Sequence, residues 1–152
     1  MTRQEIITAL RPFFSIEELV CPHTFKRFGQ TAWQFLSTPY LHTLLIIRRD
    51  ILKVAMTCNN YSSGGTYTQR GNRCNLCQLV RDKTASGSIY MSAHVLAQGG
   101  DFSSDEMGAE MMRQTIKKNK HLLPYNIRIE RTVNWLHFDL YDTGEKVFEF
   151  NG

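Results

Sequence analysis

His94 and Asp101 stand seven residues apart within "YMSAHVLAQGGDF", and a neutral imidazole and a carboxylate are both zinc ligands. On a helix they would lie about 10.5 Å apart along the axis, and on a continuous strand more than ~20 Å. Two ligands of one zinc must each lie within ~2.0 to 2.2 Å of it, so only a chain that turns back between them can serve. Gly99 and Gly100 supply that turn, because glycine tolerates backbone angles and close approaches that other residues resist. His137, inside "NWLHFDL", offers a third ligand. Two imidazoles and one carboxylate around an open fourth position make a site that activates water. Asp139 lies two residues on, hence on the same face of a strand, where it either orients an imidazole or is a solvated strand residue.

The elements that must position these groups divide the chain in two. The first third reads as helical. "SIEEL" opens with a capping box from Ser15 to Glu18, and "TPYLHTLLIIRRDIL" places Thr38 as N-cap and Pro39 in the first turn of the main core helix. "KVAMTCNN" reads as a short strand, followed by the long polar segment "YSSGGTYTQRGNR", of the kind that inside a compact domain is functional or disordered. "CNLCQLVRDKTA" predicts a short helix and "SIYMS" a strand. Ser103 and Glu106 suggest a second capping box opening a helix from about Ser104 to Lys120, with Met107, Met111 and Ile116 towards the core. The tail is β: "NIRIERTV", "WLHFDLYD" and "KVFEFN", with "DTGE" joining the last two as a hairpin. The expected fold is α+β, one domain over residues 1–152, with N-terminal helices packed on a central, mainly antiparallel sheet.

Composition narrows the class further. No run approaches the ~20 apolar residues of a membrane span. "MTRQEIITALRPFF" carries acidic Glu5 and no small-residue cleavage pattern, so no secretory signal is expected and the chain should be made and folded in a cytoplasm. The net charge of +4 is scattered apart from "KKNKH" at Lys117 to His121, which complements a helix C-terminus rather than marking a nucleic-acid surface. Cys21, Cys58, Cys74 and Cys77 are expected to be reduced thiols. "CNLC" would make half of a zinc site, with Cys21 and His23 of "CPH" as its complement. That spacing is not a C-x2-C…C-x2-C frame, so buried or idle thiols are expected instead.

"SAHVLAQGGD" resembles the S-x-H-x-x-G-x-A-x-D signature of the zinc D-Ala-D-Ala carboxypeptidase superfamily, which includes phage L-Ala-D-Glu endolysins and shares its fold with the Hedgehog signalling domain. "NWLHFD" is similar to that superfamily's second block, W-x-H followed by an aspartate, and "FFSIEELVCPHT" looks like the opening of its short phage-type members. The resemblance spans about Phe13 to Phe150. It implies His94, Asp101 and His137 as zinc ligands, Ser92 as a small polar residue supporting the site, and an arginine from the loop S-G-x-R to hold a substrate carboxylate. In "SSGGTYTQRGNR" that arginine is Arg70 or Arg73. The chain departs from the pattern at Ala97 and Gly99, where the family has glycine and alanine. It departs more seriously at Asn134, three residues before His137, where family enzymes carry the Glu or Asp that takes the proton from water. An amide cannot do so.

Three readings of Asn134 are open. A different carboxylate serves, Glu130 first and Asp139 second, with Glu130 needing a bulge to share the face of His137. Or the metal activates water with a weaker base. Or the chain binds without cutting. The resemblance implies a Zn2+ peptidase, a monomer acting on peptidoglycan stem peptides or other D-amino-acid-containing peptides and released to the cell wall during phage lysis. The alternatives are a catalytically weak zinc-containing wall-binding protein and, on "CNLC" and basicity alone, a nucleic-acid-binding knuckle.

Overall fold

Why Asp101, His137 and Asp139 share one surface is answered by the pleat of the sheet. The computed structural model describes residues 1–152. Six helices, α1 (Arg3–Leu10), α2 (Ile16–Leu19), α3 (Pro22–Phe28), α4 (Thr38–Ile46), α5 (Gln78–Ala85) and α6 (Ala109–Lys118), accompany four strands, β1 (Gly99–Phe102), β2 (Ile127–Arg131), β3 (Leu136–Asp139) and β4 (Val147–Asn151). The sheet order is β1-β3-β2-β4. Along β3, Leu136 and Phe138 point to one side and His137 and Asp139 to the other. Phe102 and Phe138 stack at 5.6 Å on the core side, where Phe14 and Tyr40 close over them. Helices α1, α2, α4 and α6 share one apolar core with this side, Phe25 of α3 packs against it, and α5 packs apart through Val80.

The N-terminal helices start where their caps dictate. Thr2 and Ser15 each form a capping box, with Glu5 and Glu18 returning to the cap N–H. The main core helix is capped one residue earlier than its sequence suggests, by Ser37, whose hydroxyl accepts the Tyr40 N–H. Its last part, Ile47–Leu52, widens to a π-helical turn and ends on Lys53 in the left-handed region. α6 begins at Ala109 rather than near Ser104, because Glu106 turns away to accept the Ala55 N–H. Met112, Arg113 and Ile116 therefore face inward, and Met111 is exposed.

Two expected strands do not form. "KVAMTCNN" contributes only a bridge between Thr57 and Ser103, and "SIYMS" is irregular. "DTGE" does turn, with Gly144 at φ 85° and its N–H on Asp142 Oδ1, but it does not make a hairpin. The chain passes over the start of β2, where Asn126 holds Asp142, and β4 pairs with β2 in parallel. The sheet is thus mixed, with two antiparallel pairings and one parallel. No helix is long and apolar enough to cross a membrane.

Candidate metal centre

Register places the site. β1 meets β3 with Asp101 opposite His137 and Gly99 opposite Asp139, and β2 meets β3 with Arg128 opposite Asp139. Continuing that register by one residue puts Glu130 opposite His137. Residues directly opposite in an antiparallel pair share a face, so Glu130 reaches the His137 side without the bulge expected of it. Asp101, His137, Asp139, Arg128 and Glu130 together line one cleft of ≈ 570 Å³.

His94 arrives from a separate turn over residues 92–98. The Ser92 hydroxyl accepts the Val95 N–H at 3.4 Å, and the Leu96 and Gln98 N–H groups return to the Ser92 and Ala93 carbonyls. Ser92 supports the site by capping the turn that presents His94, and it also lines the cleft. The left-handed residue that reverses the chain is Ala97, at φ 56°, and neither glycine of the pair has positive φ. Gly99 and Gly100 are required for space instead. A Cβ at Gly99 would lie 2.8 Å from Asp139 Cβ and 2.9 Å from Ala93 Cβ, and one at Gly100 would lie 2.6 Å from the Tyr40 hydroxyl. Gly99→Ala is expected to force β1 away from β3 and to destabilise the fold by about 1–3 kcal/mol, read as a lower denaturation midpoint.

The long loop before this turn is ordered by buried amides. Asn59 donates to the Val20 carbonyl and accepts the Arg70 N–H, and Asn72 donates to the His94 carbonyl. Gly71 passes so close to Leu19 that a Cβ would lie 2.4 Å from its carbonyl oxygen, and the Gly71 carbonyl meets His94 Nδ1 at 2.9 Å.

These contacts fix which imidazole nitrogens carry protons. A carbonyl oxygen only accepts, so His94 Nδ1 bears the hydrogen and Nε2 is left facing Asp101 Oδ2 at 3.4 Å. His137 Nε2 faces Asp139 Oδ2 at 3.1 Å, and its Nδ1 faces Asp101 Oδ1 at 2.7 Å. Burial would raise the Asp139 carboxyl, but hydrogen bonds from His137, Arg128 and the Tyr141 N–H outweigh it and hold it down at about 2. Asp139 is therefore an acceptor, and His137 Nε2 carries the proton. Asp101 is an acceptor too, so His137 Nδ1 donates to it, and a metal ion that takes the place of that proton would meet two ring nitrogens and a carboxylate. The three ligand atoms lie within 4.8 Å of one another. Such a donor set fits a divalent cation with two imidazoles and one carboxylate.

Without a cation, protonation substitutes for it. Burial lowers the His137 imidazole, but Asp101 and Asp139 on either side outweigh this and raise it to about 9. The Asp101 carboxyl is pushed well below its usual range, because the two histidines outweigh its burial. Below pH ~9 each ion bound must displace the His137 proton, so apparent metal affinity at this cluster is expected to climb with pH up to about 9. Calorimetry in buffers of different ionisation enthalpy would count that proton.

Asp139 is saturated: besides His137 it takes both arms of Arg128, at 3.0 and 2.8 Å, and the Tyr141 N–H at 3.0 Å. It orients an imidazole and has no free lone pair for a water proton. Asp139→Asn would present an amide N–H to either Arg128 or His137, and is expected to weaken metal binding about 10- to 100-fold.

The remaining expected residues are dispersed. Arg73 lines the cleft, with one guanidinium nitrogen 3.8 Å from Asp101 and the others donating to Tyr90 and to the Gln69 carbonyl. Arg70 donates to Ser103, stacks on Tyr67 at 3.6 Å and lines an adjoining hollow that shares Asp101 and Trp135. Asn134 is exposed and is not part of the cleft wall, because Arg113 grips the carbonyls of Val133 and Trp135 from the core side. Trp135, next to it, does line the cleft, and its indole N–H is buried without a partner. Sequence reasoning missed this donor and the Arg128–Asp139 pair. Alternation along β2 held the signal for Arg128, but the register of β2 against β3 did not follow from it.

The structure also gathers Cys21, His23, Cys74 and Cys77, whose ligand atoms lie within 4.8 Å of one another. Comparison of the chain with protein-family models, with curated proteins and with solved structures finds no match.

Proposed function

We propose that the chain is a zinc-dependent peptidase acting on peptidoglycan stem peptides, a short member of the superfamily that its two sequence blocks resemble. The observation that carries this reading is the meeting of His94 Nε2, Asp101 and His137 Nδ1 in a cleft that holds a further uncommitted carboxylate. Glu130 lines that cleft and carries none of the ion pairs that commit Asp101 and Asp139.

His94, Asp101 and His137 would hold the metal, leaving one side open to the cleft. Zinc so held supplies a Lewis acid for a scissile carbonyl and lowers the pKa of water. The protein's own groups do the rest. Glu130 accepts the proton of the attacking water and returns it to the leaving amine, a task that needs a carboxylate with a free lone pair. Arg73 brings positive charge to a substrate carboxylate. Tyr90, Met91, Leu96 and Phe150 give the cleft apolar surface, and its volume suits a short peptide.

The deciding experiment measures new amino groups released from purified peptidoglycan of several chemotypes by zinc-loaded and metal-stripped protein. Release that requires zinc supports the reading. Stoichiometric zinc with no release from any chemotype would replace it with a wall-binding protein.

A further inference from the structure

Cys21 and Cys77 occupy equivalent positions: each immediately precedes a helix, α3 or α5, and neither uses its side chain to cap it. The Cys21 thiol meets the Thr24 hydroxyl at 3.2 Å and lies within 4.8 Å of the Cys77 thiol. The two segments are brought together by a parallel bridge between Val20 and Asn72, reinforced by the Cys21 N–H on the Asn72 carbonyl at 3.0 Å. Cys74 and Cys77 form a tight turn in which the Cys77 N–H meets the Cys74 carbonyl at 3.1 Å and the Leu76 N–H meets Cys74 Sγ at 3.3 Å.

His23 completes the set. Its Nδ1 stands 3.7 Å from Cys74 Sγ and 3.9 Å from Cys77 Sγ. Tetrahedral zinc with ordinary bond lengths separates a thiolate and an imidazole nitrogen by about 3.6 Å, and two thiolates by about 3.8 Å. His23 thus stands near the spacing of a bound ligand from two of the cysteines, and all four ligand atoms lie within 4.8 Å of one another. Three sulfurs and one nitrogen leave no open position, which is the composition of a structural site rather than a catalytic one.

The segment that this cluster anchors has little else to hold it. Between Arg73 and Gln98 only Ala97 joins the main core. The other apolar contact is a small group of Cys21, Cys77 and Val80, with Tyr90 and Val95 against it. The same segment carries Arg73, Tyr90, Ser92 and His94 to the cleft. We propose that Cys21, His23, Cys74 and Cys77 bind a structural zinc ion, separate from the cleft site, which staples this wall of the cleft to the N-terminal helices.

The test uses the full chain produced with zinc, and cobalt(II) as a spectroscopic substitute. About two zinc ions per chain are expected in the native protein. The His94→Ala/His137→Ala variant should keep about one, and its cobalt form should retain near-ultraviolet thiolate-to-cobalt charge transfer, which a site of two histidines and an aspartate cannot produce. Cys74→Ser/Cys77→Ser should lose that band and become sensitive to proteolysis between residues 74 and 93. If that double variant does not fold, the cobalt spectrum of the native chain still decides. Metal-loaded native protein without thiolate charge transfer, or a mass lower by two hydrogens from a disulfide, would overturn the proposal. A thiolate band in a protein that cuts no peptide would remove only the peptidase reading.

Discussion

His137→Ala is expected to empty the cleft of metal and to lower turnover about a thousandfold or more, since metal polarisation contributes several kcal/mol to such transition states and each ~1.4 kcal/mol is tenfold in rate. The loss should exceed that of one ligand. His137 is the partner through which Asp139 and Arg128 act, and it faces Asp101 in register across β1 and β3. Without its ring, Asp139 keeps its pairing with Arg128 and orients nothing. Asp101 keeps only His94 and the more distant Arg73. Two remaining ligands on an irregular turn and a strand edge would not retain zinc at micromolar concentration. Metal content by mass spectrometry and amino-group release should fall together. The fold should survive, because His137 lies on the cleft face while Leu136 and Phe138 keep the core packing. A variant that keeps full zinc at the cleft, or cuts at an undiminished rate, would refute the assignment.

The parts of this molecule legible in its sequence are those where local chemistry dictates structure. The capping box at Ser15, the alternation of "WLHFD" and the impossibility of a regular element between His94 and Asp101 follow from short-range geometry, and the structure has each. What was not legible depends on pairing between distant segments. "SIYMS" has the texture of a strand but finds no partner, since β1 pairs with β3 on one edge and its other edge meets loop backbone at Arg70. "DTGE" has hairpin residues, yet β2 already occupies the side of β3 that β4 would need. The sequence singles out Gly99 and Gly100, but the constraint on them is the nearness of Asp139 and Tyr40, which no local rule contains. Cysteine spacing does not disclose the Cys21, His23, Cys74 and Cys77 cluster, because the bridge between Val20 and Asn72, some fifty residues apart in sequence, assembles it.

The register of β2 carries the second large expectation. Asn134 stands where the resembled enzymes have their proton acceptor, but Arg113 holds its loop and its side chain is exposed outside the cleft. Asn134→Ala is therefore expected to change turnover by less than about twofold, within the range of an ordinary surface substitution. Asp139 is excluded by its four hydrogen bonds. Glu130 remains, one strand across from His137 on the cleft face. Glu130→Gln keeps the size of the side chain and removes its ability to accept a proton. It should lower turnover by about 10² to 10⁴-fold, the usual contribution of a general base. Zinc content and denaturation midpoint should stay unchanged, which separates it from His137→Ala. Glu130→Asp, with the carboxylate one methylene short, should recover part of the rate while Glu130→Ala recovers none. If Glu130→Gln cuts peptidoglycan as fast as the native chain with the same zinc, Glu130 is not the proton acceptor.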